Sequence, residues 1–178
     1  TRCEVRLTDP GNEANWTERG IETGEFFISP NPGEDLRALA RIASGGELSR
    51  IMLALKTLAS TDAPGKTLIF DEVDAGIGGA VADVVGRRLQ ALSDRFQVLC
   101  ITHLPQIAAY GNAHFRISKT VRKDRTMTDV ARLGGPDREQ EVARMIGGAD
   151  ISATVLASAR EMLEARTLKA ASPKRTRR

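Results

Sequence analysis

The sequence predicts an α/β fold with mostly parallel central strands flanked by helices and an antiparallel hairpin at the edge. Three observations carry that expectation. Two short apolar runs, 66–70 and 97–102, are bounded by turn formers and have the length of strands buried on both faces. Between them, 79–92 places Val81, Val84, Val85, Leu89 and Leu92 at helical spacing, with Arg87 and Arg88 on the other side. Strand, helix and strand at this spacing make a βαβ unit, whose connection is right-handed. Finally, only 4% of residues are aromatic while 41% are hydrophobic, so the core must rest on aliphatic side chains.

A chain of 178 residues lies in the single-domain range and can bury one continuous core. The formal net charge of +3 permits contact with nucleic acid without requiring it, and much of the excess sits at the end, Lys174, Arg175, Arg177 and Arg178. Cys3 and Cys100 are far apart and show no metal-ligand spacing, so they are expected as two buried, reduced thiols. No apolar run reaches membrane-spanning length and no secretory leader is seen, which places the expected location in the cytoplasm, with no membrane partner.

Taken in order, residues 1–30 read as two strands, around Cys3 to Leu7 and Glu25 to Ser29, joined by a polar loop that precedes the main lobe. Pro30-Asn31-Pro32-Gly33 is a break. The lobe proper is expected over 31–165. Its first helix runs from Ser44 to about Ala59, with Leu48, Ile51, Met52, Leu55 and Leu58 as its apolar face, and Thr61-Asp62-Ala63-Pro64-Gly65 stops it. After the βαβ unit, 114–119 and 127–132 form a hairpin around the charged turn Lys123-Asp124-Arg125. Two closing helices follow, 136–145 and 152–163, separated by Gly147-Gly148, with Glu139, Glu141 and Arg144 facing outward. Residues 166–178 are expected as a basic, disordered tail.

The chemistry concentrates at two places. Ser44-Gly45-Gly46-Glu47 opens a helix: Ser44 and Glu47 have the spacing of a capping box, but a capping box does not require two intervening glycines. A helix start without side chains lets an anion such as phosphate approach bare N–H groups at the positive end of the helix dipole. Asp71 and Glu72 follow the first buried strand at its carboxyl end, the edge where open α/β sheets bind ligands. One carboxylate can organise hydrated Mg²⁺ while its neighbour polarises a water attacking a terminal phosphoryl group. His103 follows the second strand at the same edge, so two neighbouring strands deliver Asp71, Glu72 and His103 to one rim.

Ser44-Gly45-Gly46-Glu47, Leu68-Ile69-Phe70-Asp71-Glu72-Val73-Asp74 and Ile101-Thr102-His103 together resemble the signature motif, Walker B motif and switch histidine of ATP-binding-cassette ATPases. The continuation Glu72-Val73-Asp74-Ala75 is similar to the chromosome-maintenance (SMC-like) and DNA-repair branch, and the resemblance covers most of residues 24–165. It implies the C-terminal lobe of an ABC/SMC-type ATPase head acting in DNA double-strand-break repair and recombination, in the cytoplasm and at the nucleoid. It further implies that Ser44, Gly45, Gly46 and Glu47 meet the γ-phosphate of an ATP held by a second head of a homodimer. Asp71 would support Mg²⁺ through water, Glu72 would be the catalytic base, and His103 would contact the γ-phosphate. Gly78 stands where this branch usually carries an aspartate, and Ala43 replaces the commoner leucine before the serine.

No G-x-x-x-x-G-K-[ST] phosphate cradle occurs; Gly65-Lys66-Thr67 ends like one, but Ser60 occupies the place of its first glycine. The resemblance therefore implies an N-terminal head lobe carrying Walker A as a partner, with ATP, Mg²⁺ and DNA as the other ligands. Two rivals are a fragment of a transporter nucleotide-binding domain, disfavoured by Val73 after Glu72, and a non-hydrolysing DNA-binding module that uses the hairpin and basic end.

Overall fold

The computed structural model describes residues 2–9, 11–18, 20–29, 33–41, 44–58, 65–122 and 125–171. The expected breaks at 30–32 and 61–64, the centre of the hairpin turn at 123–124 and the basic end from 172 lie outside those residues. Backbone contacts divide the chain into two compact units, Thr1–Ser44 and Gly45–Arg178.

In the first unit β1 (Arg2–Thr8), β2 (Thr23–Ser29) and β3 (Arg37–Ala38) form an antiparallel sheet in that order. Alternation puts Cys3, Val5 and Leu7 beside Ile28, Phe26 and Gly24 on one face. On the opposite face the Arg6 guanidinium lies 4.0 Å from the centroid of the Phe27 ring. The apolar face is open, and Cys3 on it is exposed, which corrects the expectation of two buried thiols; Cys100 is half-buried.

The second unit contains α1 (Gly45–Leu58), β4 (Thr67–Phe70), α2 (Gly79–Leu92), β5 (Gln97–Cys100), α3 (Pro105–Ala108), β6 (His114–Arg122), β7 (Arg125–Leu133), α4 (Gly135–Gly147) and α5 (Ala153–Ala171). β4 and β5 pair in parallel, with Leu68 beside Val98, Ile69 beside Leu99 and Phe70 beside Cys100. Leu68, Phe70, Val98 and Cys100 turn to a core completed by Val85, Leu89 and Leu92 of α2, with Phe96 and Ile107. The other face is uncovered: Ile69 is 67% exposed, Leu99 46% and Ile101 54%. The strands are thus buried on one face only. An apolar run reports that both faces want burial, not that this chain supplies both covers.

A similar correction applies to α1. Leu48, Met52, Leu55 and Leu58 are exposed, and the helix joins the core through Leu53, while Gly46 is buried against the turn that holds Glu72 and Ala75. On α2, Val85, Leu89 and Leu92 are buried as the periodicity predicts, but Val81 and Val84 are half exposed.

β6 and β7 pair antiparallel from His114 beside Leu133 to Arg122 beside Arg125. α4 and α5 pack through Val142, Ala143 and Ala159, a second cluster separate from the first, where composition predicted one continuous core. Glu141, expected to face outward, is 6% exposed; it accepts from Arg144 Nε at 3.0 Å and Nη2 at 2.7 Å, with Arg116 at 4.0 Å. The two guanidinium groups, one on α4 and one on β6, are what allow a carboxylate to be buried there.

α5 continues to Ala171, past the residue at which the tail was expected to begin. Arg166 reaches Asp83 on α2 and lies 4.9 Å from the centre of the Tyr110 ring, whose hydroxyl donates to the same carboxylate at 2.8 Å. Burial, then the bond to Asp83, pushes the Tyr110 hydroxyl above its ordinary pKa. The ring covers Gly86, where a β-carbon would stand 2.3 Å from Tyr110 Cδ2.

Candidate functional site

Residues 71–75 form a tight turn between β4 and α2, and α1 is stapled to it. Ser49 Oγ donates to the Asp71 carbonyl at 2.6 Å, and Arg50 Nη1 donates to the carbonyls of Val73 at 3.3 Å and Ala75 at 2.8 Å. The turn takes Glu72 into the left-handed region, φ 53°, an uncommon conformation for a residue with a β-carbon. The Glu72 N–H donates to Asp71 Oδ1 at 2.9 Å.

This close approach explains both glycines of the helix start. A β-carbon on Gly45 would lie 2.6 Å from Glu72 Oε2. One on Gly46 would lie 2.7 Å from the Ala75 β-carbon and 2.8 Å from the Glu72 carbonyl. The Glu72 carboxylate thus sits against the first turn of α1, at its positive dipole end. Ser44 is exposed and directly precedes the first helical residue, Gly45; Glu47 is half-buried in the first turn.

Asp71 and Glu72 are both exposed at the end of β4, and His103 is exposed just past β5, as the strand order requires. The residue that connects the two strand ends is Asp74, which is 4% exposed. Its Oδ2 accepts from Thr102 Oγ1 at 2.6 Å and from the His103 main-chain N–H at 2.8 Å, and the His103 Nδ1 atom lies 3.0 Å from it. Burial acts to raise the pKa of this carboxyl, but the Thr102 hydroxyl, the His103 main-chain N–H and the nearby imidazole outweigh it and hold the group below the usual carboxylate range. Burial, with Asp74 and Asp71 nearby, pushes the Cys100 thiol up to about 12, so it is no nucleophile.

Sequence reasoning did not give Asp74 this part. The signal was present: an acidic residue after the fully buried Val73, and a threonine before the histidine on the next strand.

Among the described residues no group of three His, Cys, Asp or Glu side chains could hold a metal ion. With Oδ1 engaged by the Glu72 N–H, the exposed Asp71 has its second oxygen for a cation or for a water on that cation. The residues therefore fit one contact to Mg²⁺, not a complete site. No helix among the described residues is long and apolar enough to cross a membrane.

Among characterised proteins, the DNA repair protein RecN of Treponema pallidum is 56% identical to this chain over 147 residues, 82% of this chain and 26% of the relative. RecN of Xylella fastidiosa is 48% identical over 145 residues, with the same coverage of both. RecN of Halalkalibacterium halodurans is 44% identical over 168 residues, 94% of this chain and 30% of the relative.

The chain belongs to the RecN family.

It spans about a quarter to a third of the length of the RecN relatives it matches. The similarity to the Halalkalibacterium RecN omits only about ten residues of this chain, so it takes in residues 44–47, 71–74 and 103. No family model matches the chain. Of solved structures, one from work titled as ATP-driven dimerization and DNA-stimulated activation of SMC ATPases aligns at 20% identity and a TM-score of 0.47, over 81% of each chain. The Smc head domain from Pyrococcus yayanosii aligns at 20% identity and 0.44, over 93% of this chain and 26% of that one.

Proposed function

We propose that this RecN-family chain is the C-terminal half of a split ATPase head that couples ATP hydrolysis to DNA double-strand-break repair. The observation that carries the reading is the delivery of Asp71, Glu72 and His103 to one rim by two hydrogen-bonded parallel strands, in a chain without a phosphate cradle. The bare face of β4 and β5, with Ile69, Leu99 and Ile101, supports an arrangement in which another polypeptide segment, carrying Walker A, completes the sheet layer.

In this reading Glu72 is the general base for the attacking water and His103 contacts the γ-phosphate. Mg²⁺ bound with ATP would supply charge neutralisation at the phosphates, and Asp71 would be the residue that holds it, through a water. Ser44, Gly45, Gly46 and Glu47 present a helix start to ATP on a second head. Two anions at one helix start repel, so a phosphate arriving at Gly45 displaces the Glu72 carboxylate that stands there. DNA is the substrate on which the assembled head acts.

The test combines this chain with the RecN segment that carries Walker A. Glu72→Gln abolishes turnover while ATP binding is kept and the head dimer is stabilised, as measured by phosphate release, nucleotide affinity and sedimentation. Undiminished hydrolysis by that variant overturns the role given to Glu72, and robust turnover by this chain alone overturns the split.

A further inference from the structure

We infer that Arg50, with Ser49 beside it, is a positioning residue that holds Glu72 in its left-handed backbone conformation and so sets where the base lies; this rests on the ATPase reading above. Neither residue touches the reacting atoms in that reading. Both act on the main chain that carries Glu72.

Three carbonyls of the turn, those of Asp71, Val73 and Ala75, accept hydrogen bonds from α1. The Ser49 bond holds the peptide group before Glu72, and the two Arg50 bonds hold the chain after it. Two further bonds close the turn on itself: the Glu72 N–H donates to Asp71 Oδ1 at 2.9 Å, and the Glu72 carbonyl accepts from the Ala75 N–H at 3.0 Å. Because φ is the rotation of one peptide group against the next, bonds on both sides of residue 72 fix it. Among the described residues Glu72 is the one non-glycine position with positive φ. A residue with a β-carbon enters that region at a cost, and stays there only where its surroundings over-determine it.

Arg50 is suited to the task. A single nitrogen, Nη1, serves both carbonyls, at 3.3 Å and 2.8 Å, and a cationic donor makes stronger bonds than a neutral one. Gly46 lies one turn earlier on the same face of α1, and a β-carbon there would stand 3.1 Å from Nη1, so the glycine leaves the guanidinium its path. The consequence falls on the Glu72 carboxylate, which this backbone lays against Gly45 at the helix start. A base held in one place by its main chain loses less freedom on reaching its water.

Positive φ brings an amide proton close to its own α-proton, so the conformation is readable by NMR without nucleotide. In the unaltered chain Glu72 gives a strong intraresidue amide-to-α-proton Overhauser cross-peak. Arg50→Ala weakens it severalfold, toward the intensity of the other non-glycine residues. Thr57→Val, which removes a 2.7 Å hydroxyl bond to the Leu53 carbonyl within the same helix, leaves it unchanged and controls for lost stability alone. In the head completed by the Walker A segment, Arg50→Ala lowers kcat by about tenfold to a hundredfold with KM for ATP unchanged, because the geometry of the base and not ATP binding is lost. A weak Glu72 cross-peak in the unaltered chain overturns the inference even if Arg50→Ala does not fold. An unchanged cross-peak in folded Arg50→Ala also overturns it, as does a raised KM with kcat kept. The expected cross-peaks with no hydrolysis by the unaltered completed head leave the backbone clamp in place and remove the proposed reaction.

Discussion

The Ser49 hydroxyl donates to the main-chain carbonyl of Asp71 at 2.6 Å, joining α1 to the end of β4. Residues 22 apart in sequence are thereby fixed at the point where the chain leaves the strand for its acidic pair. Ser49→Ala removes this bond and is expected to cost about 0.5–1.5 kcal/mol, since water can reach the carbonyl left behind. Urea denaturation measures the loss, and amide exchange at 71–73 should rise with it. An unchanged midpoint and unchanged exchange would show that the staple holds nothing.

The two glycines of the helix start are expected to respond differently to alanine. At position 46 the new β-carbon meets the Ala75 β-carbon and the Glu72 carbonyl, neither of which can move without shifting the turn. Gly46→Ala should destabilise by about 1–3 kcal/mol, as overpacking does. At position 45 the obstacle is the far end of the Glu72 side chain, which can rotate away, so Gly45→Ala should cost less than Gly46→Ala. Paired denaturation curves decide it, and equal costs would contradict the packing described here.

Glu141 supplies a pH signature. The Arg144 guanidinium, then its charge and that of Arg116, hold this carboxyl below its ordinary pKa against the opposing effect of burial. A folded pKa below the unfolded one means stability that is present above the unfolded value, near 4.3, and lost as pH falls through the folded value. Glu141→Gln should therefore destabilise at neutral pH by about 1–2 kcal/mol, discounted for the exposure of Arg144. The gap to the unaltered chain should narrow as pH falls below the unfolded value, near 4.3, toward the lowered folded one. A gap that stays constant from pH 7 to pH 3 would assign the loss to packing instead.

Much of the second unit was legible because its elements are periodic and well punctuated. The span of α2, Gly79–Leu92, and the hairpin agree with the reading from apolar spacing and turn formers. What the pattern could not say is which apolar face has something to pack against. Ile69 and Leu68 look alike in sequence, yet one is open and the other packs on the core, and in α1 Leu53 is buried while the more regular stripe from Leu48 to Leu58 is not. Glu141 was misplaced for a related reason: its guanidinium partners lie one turn on and on β6, and a charged residue reads as solvated until those partners are found.

At the candidate site, residue types on strand ends could be read, and the contacts between loops could not. Asp71, Glu72 and His103 stand where strand order puts them. The link through Asp74 depends on a side chain crossing between two turns 28 residues apart, which no local pattern encodes. The packing reason for Gly45 and Gly46 likewise appears only once Glu72 and Ala75 are seen to fold back over them.

The bare side of β4 and β5 also governs how this chain behaves in a tube. A parallel strand pair showing Ile69, Leu99 and Ile101 to water is adhesive, and two copies brought together at high concentration can cover each other. Light scattering against concentration is thus the natural companion of every measurement above. Ile69→Thr should lessen that stickiness, read as a flatter rise of scattering with concentration.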